Sequence, residues 1–157
     1  MPAQVSEGRT NVYWATAVAN KNAPTVAEIT AAVALTTFVT KDGVETNISS
    51  NNVDSAMIDT TYDSQVTGSW GSDVKLTMKR DVTADTAWNL CVYGTAGFLI
   101  IDRFRNSGVL PSAGMKVEVW PAQRHQPAPE NTAANTLVKF VETFAITGQP
   151  NLSATVA

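Results

Sequence analysis

The alternation of apolar and polar residues along the chain predicts mainly β-strands. In a strand, successive side chains point to opposite faces, so strict alternation marks a strand with one buried and one solvated face. Val74 to Lys79 shows this pattern most clearly, with Val74, Leu76 and Met78 on the apolar face. Five further segments have strand character: Val12–Ala17, Leu35–Thr40, Gly97–Phe104, Met115–Trp120 and Thr136–Thr147.

Two short helices interrupt these strands in the predicted order of elements. Thr25 and Glu28 form the pattern of a capping box, and Val26, Ile29 and Val33 follow at helical spacing, which predicts a helix over Val26–Ala32. A second helix is expected after Asp85 as a capping residue. Its apolar face would comprise Ala87, Leu90 and Cys91, and Gly94 would end it.

Turn signals divide the remaining chain. Lys41-Asp42-Gly43 predicts a tight turn, Pro121 is expected to end its strand, and Ala122–Asn135 is interpreted as an exposed connector. The hairpin-like turns favour antiparallel pairing. The pattern therefore predicts a mainly β or α+β protein, built as an antiparallel sandwich with one or two short helices at its side.

The segment 45–71 differs from the rest because it is rich in Asn, Ser, Thr and Asp and has little periodicity. So long an irregular segment is uncommon in a compact domain unless it is functional or disordered. We expect a long loop whose apolar residues are ordered against another surface. These residues are Ile48, Val53, Met57, Ile58, Tyr62, Val66 and Trp70.

Length and charge narrow the class of protein. A chain of 157 residues fits one domain, with an N-terminal arm over 1–11 and a C-terminal arm over 148–157. The net charge of −3 and the scattered Lys and Arg residues argue against affinity for nucleic acid through phosphate neutralisation. We expect neither a membrane span nor a signal peptide, and hence a soluble protein made in a cytoplasm.

The search for reactive groups predicts neither a catalytic centre nor a cofactor. Cys91 is the sole cysteine, so neither an intramolecular disulfide nor a cysteine-based zinc cluster is expected. His125 is the sole histidine, and an enzyme using it is the weakest alternative. A second alternative is a β-sandwich module for a carbohydrate or small ligand, in which Trp70 and Trp120 would line a groove.

Several short motifs, in a fixed order between Tyr13 and Thr147, resemble those of a known family. The chain is similar to the major tail proteins of siphoviruses, particularly those infecting actinobacteria. The motifs are Ala23-Pro-Thr-Val-Ala-Glu-Ile-Thr-Ala, Asn51-Asn-Val-Asp, Gly68-Ser-Trp-Gly, Val74-Lys-Leu-Thr-Met-Lys-Arg-Asp, Ala87-Trp88, Gly94-Thr-Ala-Gly-Phe-Leu-Ile and Ala113-Gly-Met-Lys-Val-Glu-Val-Trp-Pro-Ala.

The resemblance implies a tail-tube fold, a β-sandwich or partial barrel with a flanking helix. It also implies six-membered rings that stack into a tube, with the segment 45–71 and both terminal arms bridging the copies. The implied partners are further copies of the chain and the tail terminator, tape measure and distal tail proteins. The implied setting is a virion tail assembled in the host cytoplasm, through which double-stranded DNA passes without specific binding.

A channel for DNA suggests a role for acidic residues on strand faces. Fixed negative charge would repel phosphate, so Asp102, Glu118 and Glu142 are predicted to line the channel. Glu142 interrupts the apolar face of its strand, however. A buried Lys or Arg partner would explain its position equally well.

Overall fold

The computed structural model describes residues 8–59, 61–81, 83–131 and 133–157, so the first seven residues of the predicted N-terminal arm lie outside the described part. Asn11, the last residue of that arm, is buried and begins the first strand. The elements are β1 Asn11–Ala15, α1 Val26–Ala31, β2 Val33–Ala34, β3 Val39–Asp54, β4 Gln65–Lys79, α2 Thr86–Asn89, β5 Ala96–Asp102, β6 Lys116–Arg124, β7 Ala128–Pro129, β8 Lys139–Ile146 and β9 Asn151–Thr155.

All strands of the described part belong to one antiparallel sheet in the order β2-β1-β5-β6-β8-β4-β3. The short strands β7 and β9 add to β8 and β6. The prediction of a mainly β, antiparallel fold with two short helices is confirmed. The sheet curls without closing. Arg103, after β5, donates a hydrogen bond to Thr46 Oγ1 of β3 at 3.3 Å across the open seam.

The two faces of the sheet bury two separate apolar clusters, whose removal from water is the main driving force of folding. The larger lies inside the curl, where β1, β4, β5, β6 and β8 contribute side chains such as Trp14, Leu76, Leu99 and Phe144. The smaller lies on the outer face, where Ile29 of α1 packs with residues of β1, β5, β6 and β9. The helix therefore covers only part of the outer face.

The start of α1 follows the predicted capping box. Thr25 Oγ1 accepts a hydrogen bond from the Glu28 backbone N–H at 3.2 Å, and Glu28 Oε2 accepts one from the Thr25 N–H at 2.7 Å. Backbone N–H donors from Ala19 and then Thr25 lower the pKa of the Glu28 carboxyl group. The helix ends at Ala31, one residue before the predicted end.

The predicted turn at Lys41-Asp42-Gly43 is wrong, because β3 runs through it. The pairing of β3 with β4 shifts between Val39 and Val44, which is the signature of a β-bulge or irregularity. A Cβ atom on Gly43 would lie 2.4 Å from the Thr77 carbonyl oxygen. Glycine is therefore needed here for close approach of two strands.

The second helix is shorter than predicted, and Asp85 does not cap it with its side chain. Asp85 has a left-handed backbone conformation, with φ of 46°, and its carboxylate forms an ion pair with Arg80. The Arg80 guanidinium in turn lies 4.2 Å from the centre of the Trp88 ring. The Asp85 carboxylate, which was predicted to cap the helix, is instead paired with Arg80, and Arg80 also stacks on Trp88 of the helix.

Pro121 does not end its strand, since β6 continues to Arg124, and the predicted connector Ala122–Asn135 therefore contains strand residues. The missing N–H of a proline is tolerated where a ladder is interrupted. Pro121 lies where the β6 ladder passes from β8 to β9: Ala122 pairs with Ile146 of β8 and Val119 with Asn151 of β9.

The predicted C-terminal arm 148–157 is largely part of the sheet. Its residues form β9, which pairs with β6, and Ala154 and Val156 are buried against the outer cluster. The Ala157 N–H donates to the Pro24 carbonyl at 2.9 Å, and the Val26 N–H donates to the Ala157 carbonyl at 3.4 Å. In the protomer this segment is folded onto its own domain. Contact of the segment with another copy remains a prediction.

Candidate assembly surface

The segment 45–71, predicted to be a loop, is mostly the long antiparallel hairpin of β3 and β4. The two strands remain paired out to Asp54 and Gln65, although the register shifts between Ser50 and Asn52. β8 pairs with β4 only from Asp73 onward. We call residues 48–72 the projecting hairpin; from Gln65 to Asp73 its strand extends about 26 Å at the usual rise per residue.

The projecting hairpin carries all seven apolar residues that were predicted to contact another subunit. Every one is exposed in the protomer, from 45% for Trp70 to complete exposure for Ile58. Contiguous exposed apolar surface marks interaction sites in soluble proteins. The structure thus brings these residues together on one two-stranded extension, and their contact with another subunit remains a prediction.

The outer edge of β3 is open along the hairpin. Within the described part of the chain, this 16-residue strand is at the end of the sheet and pairs with β4 alone. Unpaired backbone N–H and C=O groups on a long edge can add a strand from another chain. Apolar side chains and a free edge therefore coincide on one element.

The stretch from Glu45 to Asp73, which contains the projecting hairpin, is acidic. Five acids and neither Lys nor Arg occur between Val44 and Val74, whereas the whole chain has a net charge of only −3. Three of the acids, Asp54, Asp59 and Asp63, lie near the tip and are exposed. The remaining parts of the chain therefore carry a net positive charge.

Glu142 has the buried partner that its position on an apolar face suggested. Its two carboxylate oxygens accept hydrogen bonds from Arg124 Nε at 2.6 Å and Arg124 Nη2 at 2.7 Å, and both side chains are fully buried. The guanidinium also donates to the Leu90 carbonyl and lies 4.8 Å from the Trp14 ring centre and 5.7 Å from that of Phe144. This bidentate pair is a structural element of the core.

Cys91 belongs to the same buried cluster. Its Sγ donates to Glu142 Oε2 at 3.1 Å and lies at the same distance from the Ala87 carbonyl oxygen. Burial, reinforced by the negative charge of Glu142, raises the pKa of the Cys91 thiol to about 12. Because the thiolate is the nucleophilic form, this cysteine is held in its unreactive state near neutral pH.

The other two predicted channel acids are also paired with arginines. Asp102 is fully buried and binds Arg105 Nε at 2.5 Å, while Glu118 binds Arg103 Nε at 2.6 Å and retains a side chain that is 18% exposed. Asp102 and Glu142 thus present no free charge at the protomer surface, because each is enclosed and neutralised by its partner. This corrects their assignment as channel-lining residues, and such a role for Glu118 remains a prediction.

The alternatives of a ligand groove and a catalytic histidine gain no support from the geometry. Trp120 is buried in the core and Trp70 is exposed on the hairpin, so the two do not line one groove. The exposed His125 stacks edge-on against Tyr93, with ring centres 6.3 Å apart. Among the described residues there is no cluster of three or more His, Cys, Asp or Glu residues suited to a metal ion.

A curled antiparallel sheet that exposes an apolar, acidic hairpin and an open strand edge defines a β-rich protein built for association. Within the described residues, no helix combines the length and hydrophobicity needed to cross a membrane.

Comparison with known families places the chain more narrowly. The family model of the phage tail tube protein matches residues 1–157, so the chain belongs to that family. It is therefore a structural component of the tube in the phage tail, and it assembles with itself in the virion. No match is found among curated proteins.

Proposed function

We propose that the chain forms six-membered rings that stack into the tube of a siphovirus tail and enclose the channel through which DNA is ejected. The observation that carries this proposal is the projecting hairpin, an extension with exposed apolar side chains and an open strand edge in a member of the tail tube family. A surface of this kind needs a second copy to bury it.

Ring closure follows from a contact between unlike surfaces. An edge strand that pairs with a different edge of the next copy makes a heterologous contact, which closes into a ring when the rotation permits. The main path of the sheet ends in the long β3 on one side and in the two-residue β2 on the other. We propose that β3 supplies the longer contact and continues the sheet from one copy to the next around the channel.

The apolar residues of the projecting hairpin would supply much of the binding free energy. Complete burial of one such side chain stabilises an interface by about 1.5–3 kcal/mol. Ile58, Met57 and Tyr62 are at least 71% exposed, so they have the most surface to lose on assembly. Residues 1–11 are a further proposed bridge between copies.

The proposed partners at the ends and inside the tube are the tail terminator, tape measure and distal tail proteins, with assembly in the host cytoplasm. Passage of DNA without specific binding agrees with the charge of the chain. A protein that grips DNA neutralises phosphates with clustered Lys and Arg. Here the net charge is −3, and the most acidic element is the one proposed to join the copies.

A shortened hairpin tests this proposal. Ser49 pairs with Gly71, so replacement of residues 50–70 by Asn-Gly would close the strands with a two-residue turn and preserve the sheet below it. We expect a folded, soluble protomer that forms neither rings nor tubes in negative-stain electron microscopy. The unchanged chain should form hollow tubes at the same concentration.

A matched control is Leu152→Ser, which alters an exposed apolar residue of β9 outside the hairpin. This variant should assemble normally. Tubes of ordinary length from the shortened hairpin would refute its role in joining copies. Monodisperse monomers of the unchanged chain under many conditions would refute the proposed function itself.

A further inference from the structure

The two strands of the projecting hairpin leave the sheet with unequal support at their root. On the β4 side, the ladder with β8 reaches as far as Asp73, which pairs with Ala145. On the β3 side, no strand of the described part of the chain lies next to the root. Since a two-stranded ribbon is only marginally stable by itself, the direction of the hairpin depends on what holds this root.

A side chain takes the place of the absent strand on the β3 side. Arg103 Nη2 donates a hydrogen bond to Thr46 Oγ1 at 3.3 Å, two residues before the hairpin begins. Thr46 pairs in register with Val74, one residue inside the last pair of the β8 ladder. The bond of Arg103 therefore acts at the level where the backbone support of the hairpin ends.

Arg103 is in turn anchored to the core. Its Nε donates to Glu118 Oε1 at 2.6 Å, and its Nη2 lies 3.4 Å from Glu118 Oε2. The same carboxylate accepts a hydrogen bond from the indole N–H of Trp120 at 3.2 Å, and Trp120 is buried. We call Thr46, Arg103 and Glu118 the seam latch. It connects β3 to β6, although these strands are not neighbours in the sheet.

Beside the seam latch, side chains do not fill the space between the two sides of the curl. A cavity of about 600 Å³ opens there, and Arg103 forms part of its wall. The first half of β3 contributes Thr40 and Val44, and the opposite wall includes Thr10 and Thr36. Because atoms that face a cavity lack packing contacts on that side, packing at this point restrains β3 only weakly.

We propose that Arg103 is a positioning residue, which fixes the direction of the projecting hairpin in the protomer before assembly. The hairpin extends about 26 Å, so a rotation of about 10° at its root moves the tip by about 5 Å. A joining surface that is already oriented loses less conformational entropy on association. This inference rests on the proposed function and adds to it the residue that orients the joining element.

The variant Thr46→Val tests the seam latch. It removes the accepting hydroxyl, nearly preserves the volume of the side chain and leaves the ion pair between Arg103 and Glu118 in place. Thr46→Ser is the matched control, because serine retains the hydroxyl. Both variants should fold, with midpoints of thermal unfolding within about 3 °C of the unchanged chain.

Spin labels measure the direction of the hairpin in dissolved protomers. Cysteines introduced at Ser50 of the hairpin and Ala27 of α1 provide two exposed labelling positions. Cys91 is buried and should remain unlabelled. By pulsed electron paramagnetic resonance, we expect the distribution of label distances to be about twice as wide in Thr46→Val and unchanged in Thr46→Ser.

Tube formation should follow the distances. We expect the protein concentration needed for tubes, measured by light scattering and electron microscopy, to rise about threefold to tenfold in Thr46→Val. Thr46→Ser should assemble as the unchanged chain does. Arg103→Lys is a second test, because lysine keeps the charge but lacks the planar fork that reaches Glu118 and Thr46 together. It should behave as Thr46→Val does.

An unchanged distance distribution in Thr46→Val or in Arg103→Lys would overturn the inference, and so would equal broadening in Thr46→Ser. A broader distribution without any change in tube formation would refute the role of Arg103 in assembly. The distances are measured on protomers and do not require tubes. Failure of the unchanged chain to assemble would therefore remove the proposed function, while the distances would still decide whether Arg103 positions the hairpin.

Discussion

Replacement of Glu142 by Gln removes the negative half of a buried ion pair and leaves the charge of Arg124 in the interior. Both side chains are completely buried, and the two hydrogen bonds between them measure 2.6 and 2.7 Å. Breaking a buried pair from one side costs about 3–5 kcal/mol. For a domain of this size the midpoint of thermal unfolding should fall by roughly 6–20 °C.

Urea denaturation followed by tryptophan fluorescence measures this cost, because Trp14 lies 4.8 Å from the Arg124 guanidinium and reports on the site. The paired variant Arg124→Met with Glu142→Leu removes both charges. It should recover at least about half of the loss, since no buried charge remains without a partner. A cost below about 1 kcal/mol for Glu142→Gln would refute the reasoning, as would a double variant as unstable as the sum of the single ones.

Three further predictions concern the core. Gly97→Ala should lower the free energy of unfolding by about 1–3 kcal/mol, because the new Cβ would lie 2.6 Å from Trp14 Cζ2. The control Gly71→Ala, where a Cβ would have no atom within 4 Å, should change it by less than about 0.5 kcal/mol. Equal effects of the two substitutions in urea denaturation would contradict the steric argument. Burial raises the pKa of Cys91 from 9.0 to about 12, so at pH 8 the thiol should react with a thiol reagent about a thousandfold more slowly in the native protein than in urea. A difference as small as about tenfold would contradict the burial of this thiol. Because the unfolded thiol ionises first, this group should also make stability fall as the pH rises from about 9 toward 12, a loss that Cys91→Ala should reduce.

Local patterns in the sequence were sufficient where a single element sets its own structure. The capping box at Thr25 and Glu28 fixed the start of α1, because both hydrogen bonds are made within four residues. The alternation in Val74–Lys79 identified a strand and its buried face, since the period of two is a property of the strand itself. Glu142, an acidic residue on an otherwise apolar strand face, indicated that a buried cation pairs with it. The sequence did not show that this cation is Arg124.

Features that depend on distant parts of the chain were not predictable in this way. The turn signal at Asp42-Gly43 was overridden because β4 approaches the backbone there and requires a glycine. Pro121 is tolerated inside β6 only because the neighbouring ladder changes from β8 to β9 at that point. The approach of Arg103 to Thr46 could not be recognised without the curl of the sheet, which brings together residues 57 positions apart.

The strand order described above also sets a sequence of events during synthesis. β1 must wait for β5, whose Asp102 pairs with Asn11, whereas β3 and β4 are joined by a short connection and can pair as soon as both have left the ribosome. The β3–β4 hairpin, which we propose joins the copies, can therefore form before β1 pairs with β5. We expect its acids to repel those of other nascent chains and so to oppose premature aggregation until the rest of the sheet has formed.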